Sequence, residues 1–472
     1  MTLLQELAAL LGPDHVLTGD DLARYRKDWT TLYPSDPCAV ARPASTAEVA
    51  GVVRIAARHG VPVVPVSGLT NLTGGCHTEG GLMLSLERLN RIRGISAATK
   101  TAEVEAGVVL SRLHDAAEAE GLYFPLWFGA RGSAMIGGVL STNAGGSNVL
   151  RYGSTRGLCL GLEVVLADGQ VLNLMGRLHK DNSGYDLRQV FIGAEGTLGI
   201  VTAAVMKLVP KPLAHATATL SVRSLADALD VLNRLQAASG GGVEAFEFMS
   251  RSHMERLAEA RPDLRQPFSP LQEVNILVEI GTASPRDAAP DAQGERPVDA
   301  LLENLLAGMI GEGAVLDAEI ARSETQRLTM WARREASAEI CYSLGPSIEA
   351  DIALPLDRIG EFLTRAEDRL SQIDPGHRTI HVAHLGDGNV HYSVFPTRLD
   401  EALHEAVVCA VEEIVADLGG SFSAEHGVGI MKLSSMARRK DPVALEVMRR
   451  IKAALDPQNL LNPGKVLPDR RS

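Results

Sequence analysis

Hydrophobic and polar positions alternate between the helical and the strand period along the first 212 residues. Residues 47–59 repeat apolar side chains with the period of a helix. Short β-branched or alternating runs predict strands at 61–66, 103–106 and 162–166. Asp168-Gly169 then predicts a hairpin turn, and Pro210-Lys211-Pro212 has the character of a domain boundary. Beyond it, helices and strands alternate in an α+β manner, with an irregular tail after a final helix.

Length and charge narrow the classes of protein and partner. A chain of 472 residues is long enough for two or three domains. Its net charge of −12, without a Lys/Arg-rich run, argues against nucleic acid or an anionic membrane as a partner. No apolar stretch is long enough to span a bilayer. The five scattered cysteines contain no CxxC pair, so we expect no disulfide framework and a cytoplasmic location.

Glycine is concentrated in three loops of the first domain. A Rossmann GxGxxG motif is absent, since Gly193–Gly199 has the wrong spacing. The loops Ser67–Gly75, Gly129–Gly138 and Ser141–Gly146 nevertheless combine glycines with hydroxyl or amide side chains. Each loop alone is typical of an ordinary turn. Three of them so close together favour a diphosphate ligand, whose oxygens would accept from backbone N–H groups.

Longer motifs carry a family resemblance over nearly the whole chain. They are Gly129–Gly138, Ser141–Gly146, Arg151-Tyr152-Gly153, Lys180–Asp186 and Gly193–Thr202. These segments resemble the FAD-binding domain of the vanillyl-alcohol oxidase superfamily, and within it the D-2-hydroxyglutarate and D-lactate dehydrogenase branch. The resemblance implies an α+β fold. It implies a two-part FAD-binding domain (1–212), an α+β substrate or cap domain (213–420) and a C-terminal helical tail that returns to the flavin (421–472).

The resemblance also implies which residues hold FAD. The pyrophosphate is expected on the first loop, the next two loops flank it, and Glu195, Ile200 and Val201 are expected near the adenine. The implied set is Ser67, Gly68, Thr70, Asn71, Leu72, Gly74, Gly132, Ser133, Ile136, Gly137, Gly138, Thr142, Asn143, Gly145, Gly146, Glu195, Ile200, Val201 and Asn462. Lys465 of the tail is expected to approach the flavin as well. The first loop contains no histidine, so the FAD is expected to be non-covalent.

Spacing alone predicts a metal site in the second half of the chain. Asp387-Gly388 is a favoured two-residue hairpin loop, and that loop would place His384 directly opposite His391. Two imidazoles on one face, about 5 Å apart at Cβ, can share one ion. Glu425, next to His426, offers a third ligand. A His₂Glu set suits catalytic Zn²⁺, with Mn²⁺ or Fe²⁺ as alternatives. A lone histidine such as His381 is expected to be structural.

The resemblance assigns roles around this site. It gives His384, His391 and Glu425 as metal ligands and His426 as the general base. Trp331–Glu335 resembles the segment whose arginine binds the substrate carboxylate, which here is Arg334. In the pocket that binds the second carboxylate of hydroxyglutarate, Ala338, Glu349 and Ser393 stand where Thr, Lys and Asn are usual. Since Glu349 would repel that carboxylate, an acid with an uncharged or cationic end is expected to fit better.

Together these features predict an FAD- and metal-dependent dehydrogenase. The expected reaction oxidises a D-2-hydroxy acid, similar to D-2-hydroxyglutarate or D-lactate, to the 2-oxo acid by hydride transfer to flavin N5. The electron acceptor is expected to be an electron-transfer flavoprotein, a quinone or a cytochrome. The alternatives are a non-catalytic flavin-binding electron-transfer subunit and an oxidase that uses O₂. The oligomeric state is open, with a homodimer as the expectation.

Overall fold

A computed structural model describes residues 1–469 and divides the chain into two compact units. The first unit contains residues 1–145, 153–210 and the chain from His426 onward. The second contains residues 146–152 and 211–425. This division differs from the predicted domains in three places, the first of which is the boundary at Pro210 rather than at residue 212. Residues 146–152 belong to the second unit, and the return to the first unit comes at His426 rather than at residue 421.

The part of the chain up to Pro210 contains short helices and mostly short strands. Its helices are α1 (Leu3–Leu11), α2 (Thr46–His59), α3 (Leu110–Ala119), α4 (Ile136–Thr142), α5 (Val149–Tyr152), α6 (Thr155–Leu158) and α7 (Arg188–Phe191). Its strands are β1 (Val16–Leu17), β2 (Ala39–Ala41), β3 (Val63–Val66), β4 (Leu82–Ser85), β5 (Ile92–Ser96), β6 (Thr101–Glu105), β7 (Leu122–Tyr123), β8 (Cys159–Val165), β9 (Val171–Leu174), β10 (Ile200–Lys207) and β11 (Val209–Pro210). The predicted helix and strands of this region are therefore confirmed, with ends that differ by up to three residues.

Longer elements follow Pro210. The helices are α8 (Leu225–Ala238), α9 (Arg251–Ala260), α10 (Pro285–Ala288), α11 (Pro297–Gly311), α12 (Glu324–Glu335), α13 (Ser337–Tyr342), α14 (Ile359–Ile373), α15 (Glu401–Asp417), α16 (Leu433–Arg439) and α17 (Pro442–Leu455). The strands are β12 (Ala214–Val222), β13 (Val243–Ser250), β14 (Val274–Thr282), β15 (Asp317–Ile320), β16 (Ile348–Ala353), β17 (Arg378–His384) and β18 (Asn389–Phe395). Short 3₁₀ turns lie at Pro13–His15, Gly19–Tyr25, Gly129–Gly132 and Leu356–Arg358.

The first unit contains two main sheets. One has the order β1-β2-β4-β3, in which β2, β4 and β3 are parallel, and α1 and α2 pack on it. The other is antiparallel, with the order β5-β6-β10-β8-β9. The hairpin predicted at Asp168-Gly169 connects β8 to β9 of this sheet. The connections between these strands hold the glycine-rich loops.

The second unit is one antiparallel sheet with helices on both faces. Its strand order is β15-β12-β14-β13-β17-β18-β16. On one face, α8, α11, α14 and α15 build a large apolar core that includes Phe246 and Phe248. On the other face, α9, α12 and α13 cover Met249, Leu277 and Val382. Because side chains alternate along a strand, Glu247 lies on this second face, as does His384.

All five cysteines lie within the described residues, and each is free. No helix among residues 1–469 is both long enough and apolar enough to cross a membrane.

Because two of its histidines are buried, we expect the second unit to lose stability in mild acid. His253 donates a ring N–H to the Arg333 carbonyl, and His381 lies between Phe248 and Tyr392. Burial lowers the pKa of each to about 4. An unfolded histidine titrates near pH 6.5. The contribution of the two neutral histidines to the free energy of unfolding is therefore complete above that pH, and it is lost as the pH falls towards 4.

We therefore expect His381→Phe to flatten the pH dependence of unfolding. Between pH 7.5 and 5.0 the variant should lose about 2 kcal/mol less unfolding free energy than the wild type. Denaturant unfolding at both values measures this difference. His404→Gln, at an exposed position of α15, is the control and should keep the wild-type slope. Equal slopes for His381→Phe and the wild type would contradict the expectation.

Candidate active site

The hairpin that carries the two predicted metal-binding histidines has a longer turn than expected. His384 pairs with Asn389, and His391 pairs with Val382. The predicted two-residue turn, with His384 directly opposite His391, is therefore wrong. The Leu385 N–H donates to the Phe246 carbonyl of β13 at 2.9 Å. The N–H groups of Asp387 and Gly388 both donate to the His384 carbonyl, which closes a four-residue turn.

The register differs by two residues from the predicted one, and an even shift leaves every side chain on its original face. His384 and His391 are therefore diagonal neighbours on one face of the sheet. Their ring centroids lie 5.4 Å apart and the rings are nearly perpendicular, at 83°. The predicted placement of both imidazoles on one face is confirmed, although the pairing that led to it is not.

Glu425 completes a triangle with these histidines. The Nε2 atoms of His384 and His391 lie 3.9 and 3.8 Å from the two carboxylate oxygens of Glu425. These separations are too long for hydrogen bonds. They are close to the roughly 3.4 Å between two ligands of a tetrahedral Zn²⁺ with bonds of about 2.1 Å. One donor atom from each residue lies within 4.8 Å of the others. The donor set therefore fits a divalent ion.

The pKa of the Glu425 carboxyl also favours a bound cation. Burial raises the pKa of its carboxyl to about 7, although His384 acts in the opposite sense. A carboxyl in this state gains most from a nearby cation that holds it ionised. Its backbone is also fixed, because the Glu425 N–H donates to Asp351 Oδ2 at 3.0 Å. The other oxygen of Asp351 accepts from Asn389 Nδ2 at 2.9 Å.

Glu247 of β13 contacts two of the predicted site residues, and the sequence analysis missed it. Its carboxylate accepts from His384 Nδ1 at 2.8 Å, and Arg334 Nε lies 2.9 Å from its Oε2. Burial alone would lower the pKa of His384, but Glu247 raises it to about 9. The available signal was an acidic residue within Val243–Ser250, a strand whose residues are all buried. Acidic side chains are rarely buried without a partner.

Arg334 and Arg333 have different environments on α12. Arg333 pairs with Glu319 at 2.6 Å. Arg334 is only 7% exposed, and its Nη1 donates to Ser337 at 3.3 Å. Within residues 1–469, Nη2 of Arg334 has no hydrogen-bond partner. An unsatisfied buried guanidinium donor is costly, so this group fits the carboxylate of a bound substrate.

The structure brings together two of the residues expected at the distal end of the substrate. Glu349 of β16 pairs with Ser393 of β18, and the Ser393 hydroxyl donates to Glu349 Oε2 at 2.6 Å. Ser347 donates to the other carboxylate oxygen. Cys341 Sγ lies 3.6 Å from the Ser393 hydroxyl. Ala338, the third of these residues, lies in α13. No cation among residues 1–469 pairs with Glu349.

The first unit brings two of the glycine loops into contact. A Cβ at Gly68 would lie 2.2 Å from the Ser133 carbonyl oxygen, so only glycine permits this approach. Gly138 adjoins Ser67, and Gly137 packs closely against Ala106. The predicted loops Ser67–Gly75 and Gly132–Gly138 therefore form one surface.

The tail returns to the first glycine loop, and its approach to the flavin stays a prediction. Asn462 Nδ2 donates to the carbonyls of Gly75 and Glu195 at 3.0 and 2.8 Å. Among the described residues, its Oδ1 and the Nδ2 of Asn71 are buried and without partners. The N–H groups of residues 68 to 72 likewise have none in this part of the chain. Such unsatisfied groups fit a polar ligand like the FAD diphosphate.

The remaining residues predicted to bind FAD occupy several environments. Ser133 lies just before α4, and Ile136 is the first residue of that helix. At its other end, the Thr142 hydroxyl donates to the Gly138 carbonyl, and Asn143 caps the helix. Asn143 also accepts from Ser154 and from the Arg156 N–H. Ile200 and Val201 are only 1% and 3% exposed in β10, where they pair with Val165 and Val164 of β8, and their place near the adenine stays a prediction. Thr70, Leu72, Gly74 and Gly145 lie in loops, whereas Gly146 belongs to the second unit.

His426 belongs to the first unit, in a segment that Glu195 holds. The Glu195 carboxylate accepts from the N–H groups of Val428 and Gly429 at 2.7 and 2.8 Å. Thr73 bonds the His426 carbonyl at 3.4 Å. Burial raises the pKa of Glu195, opposed by those two N–H donors. Glu195 therefore orients the chain that follows Glu425, and its place beside adenine stays a prediction.

Two family models match the chain. One describes the C-terminal domain of FAD linked oxidases and matches residues 211–466, and the other describes an FAD binding domain and matches residues 37–175. The chain belongs to the FAD-linked oxidase family. This FAD-linked oxidase is 37% identical over 467 residues to the mitochondrial D-2-hydroxyglutarate dehydrogenase of Bos taurus, covering 98% of this chain and 83% of that protein. It is 36% identical over 454 residues to D-2-hydroxyglutarate dehydrogenase of Xanthomonas citri pv. viticola, covering 94% and 92%.

Solved structures share the fold of the FAD-linked oxidase at much lower identity. p-Cresol methylhydroxylase with substrate bound has a TM-score of 0.74 and 18% identity, covering 99% of this chain and 96% of that one. Alkyldihydroxyacetonephosphate synthase has a TM-score of 0.73 and 17% identity, covering 98% and 84%. The predicted fold class and the resemblance to the vanillyl-alcohol oxidase superfamily are confirmed.

Proposed function

We propose that this FAD-linked oxidase is a metal-dependent dehydrogenase of a D-2-hydroxy acid. The observation that carries the proposal is the triangle of His384, His391 and Glu425 beside an arginine with a free donor, Arg334. An electron-transfer subunit has no use for such a set, because it performs no chemistry on an alcohol. The names of the two relatives support the same class of substrate.

The cofactors supply the redox and acid chemistry. When bound, a divalent ion provides a Lewis acid for the 2-hydroxyl oxygen, and FAD provides N5 as the hydride acceptor. Zn²⁺ suits the His₂Glu ligands best, with Mn²⁺ or Fe²⁺ as alternatives. His426 accepts the hydroxyl proton, a role that suits an imidazole near neutral pH. The product is the 2-oxo acid.

Arg334 binds the substrate carboxylate. Its Nε lies 2.9 Å from Glu247 Oε2 in an ion pair, and neither Nε nor Nη2 has a hydrogen-bond partner within residues 1–469, which leaves donors for a ligand. A fixed fork matches a carboxylate in two contacts and orients the neighbouring carbon. We further propose an electron-transfer flavoprotein, a quinone or a cytochrome as the acceptor that reoxidises the flavin, and the cytoplasm as the location.

Glu349 sets the preference for the far end of the substrate. A carboxylate at this position repels a second substrate carboxylate, so D-lactate-like acids should be better substrates than D-2-hydroxyglutarate. We expect Glu349→Lys to shift the ratio of kcat/KM for the two acids towards D-2-hydroxyglutarate by about tenfold. Steady-state kinetics with both acids measure the shift. Glu361→Lys makes the same charge change on α14 and should leave the ratio unaltered; an equal shift there would contradict the role of Glu349.

The visible spectrum of the flavin tests the reaction directly. Under anaerobic conditions, one D-2-hydroxy acid should bleach the flavin and its L-enantiomer should not. A chelator should abolish the bleaching, and Zn²⁺ or Mn²⁺ should restore it. A yellow protein that no hydroxy acid bleaches would support the electron-transfer subunit instead. Steady H₂O₂ production in air would indicate the oxidase.

A further inference from the structure

Helix α12 presents two arginines to two buried carboxylates on the same face of the second unit's sheet. Arg327 pairs with Glu279 of β14, and Arg334 pairs with Glu247 of β13. The arginines are seven residues apart, which is about two helical turns. Glu247 and Glu279 are 1% and 4% exposed. The two pairs are therefore alike in burial, charge and position under one helix.

The two carboxylates differ in what else they bind. Glu279 takes two donors from Arg327, at 2.6 and 2.8 Å, and further donors from Thr217 and Trp331. None of these donors belongs to the histidine triangle, and a carboxylate oxygen of Glu279 also lies within 4.8 Å of His215 and Glu244. Glu247 instead contacts both His384, whose Nδ1 lies 2.8 Å from each carboxylate oxygen, and Arg334, whose Nε lies 2.9 Å from Oε2. It is therefore the carboxylate that joins the arginine to the histidine triangle.

These contacts decide the orientation of the His384 ring and of the Arg334 guanidinium. A neutral histidine whose Nδ1 donates a proton carries its lone pair on Nε2, which is the atom that faces Glu425 and which a metal ion would take in place of a proton. The same contact fixes the ring plane. For Arg334, the ion pair with Glu247 at 2.9 Å holds the guanidinium beside this carboxylate, while Nε and Nη2 make no hydrogen bond among residues 1–469. Neither group needs to reorganise when its ligand arrives.

We infer that Glu247 is a positioning residue that holds His384 for the metal ion and Arg334 for the substrate carboxylate at the same time. The inference rests on the proposed function. Glu247 lies directly across from His384 on the adjacent strand, so the backbone pairing of β13 and β17 sets this geometry. Glu247 thereby fixes the distance between two cations that bind one substrate. One is the metal ion at the hydroxyl, and the other is the Arg334 guanidinium at the carboxylate.

The test compares Glu247→Gln with Glu279→Gln in the full-length flavoprotein. An amide at 247 keeps the shape but offers one acceptor oxygen, and its NH₂ faces one of the two donors. We expect Glu247→Gln to weaken Zn²⁺ affinity, measured by competition with a chromophoric chelator, by about 10- to 100-fold. Saturating Zn²⁺ should then restore kcat while KM for the hydroxy acid stays about tenfold raised, because Arg334 is released as well.

The matched control separates positioning from stability. Glu279→Gln should lower the melting temperature as much as Glu247→Gln does, but leave Zn²⁺ affinity and KM within twofold of the wild type. If Glu247→Gln fails to fold, Glu247→Asp is used, since it keeps the charge but is too short to reach both partners. Wild-type Zn²⁺ affinity and KM in the folded 247 variant would overturn the inference.

The proposed function fails in a different way. It predicts that His391→Ala loses Zn²⁺ binding, and undiminished binding in that variant would contradict the metal site itself. The inference on Glu247 is overturned only when His391→Ala weakens binding and the 247 variant does not. The two failures therefore give distinguishable results.

Discussion

His391→Ala is expected to slow flavin reduction by the D-2-hydroxy acid about 10³-fold. The loss follows from removing one of three ligands and with it a Lewis acid that stabilises the transition state by several kcal/mol. His391 is a better target than His384, because its side chain is 26% exposed, whereas that of His384 is 10% exposed and pairs with Glu247. The fold should therefore tolerate the change. Anaerobic stopped-flow spectroscopy of the flavin measures the rate.

His381→Phe serves as the control for this prediction. It replaces a histidine of the same strand pair that lies among aromatic rings and contacts no member of the triangle. Its rate of flavin reduction should stay within threefold of the wild type. The FAD content of both variants should be unaltered, because the glycine loops as far as Gly145 belong to the first unit. A His391→Ala protein that reduces its flavin at the wild-type rate would exclude a metal-dependent step.

Arg334→Lys is expected to raise KM for the hydroxy acid about 100-fold. A buried charge pair is worth several kcal/mol, and lysine keeps the charge but cannot offer a planar fork with Nε on Glu247. The result should be a large change in KM with a smaller change in kcat. Initial-rate kinetics over a range of acid concentrations measure both quantities.

Arg333→Lys is the matched control. Arg333 is adjacent and also buried, but it pairs with Glu319 instead of Glu247. The control should keep KM within threefold of the wild type while losing similar stability. Equal rises of KM in the two variants would contradict a specific role for Arg334.

Local patterns predicted the parts of the structure that depend on neighbouring residues. The helix at Thr46–His59 and the strands of the glycine-rich region follow from periodicity and turn residues. The histidine hairpin shows where that information ends. Asp387-Gly388 indicates a turn, but the bond from Leu385 to Phe246 of another strand decides its length. Such a tertiary contact has no signal in the hairpin itself.

The residues that support the site were not predictable from spacing. Glu247 is 137 positions from His384, and Asp351 is 74 positions from Glu425. Each becomes a neighbour only through the strand order of the second unit's sheet. A buried acidic residue in an apolar strand indicates that a partner exists, but not which one. By contrast, Glu425 was found because His426 follows it in a recognisable motif.

The most direct test of the central claim is a metal titration of the chelator-treated flavoprotein. Zn²⁺ is added in fractions of an equivalent, and the rate of anaerobic flavin reduction by the D-2-hydroxy acid is measured after each addition. We predict a rate near zero without metal, a linear rise, and a sharp break at one Zn²⁺ per chain. Full-rate reduction of the metal-free protein would contradict the account.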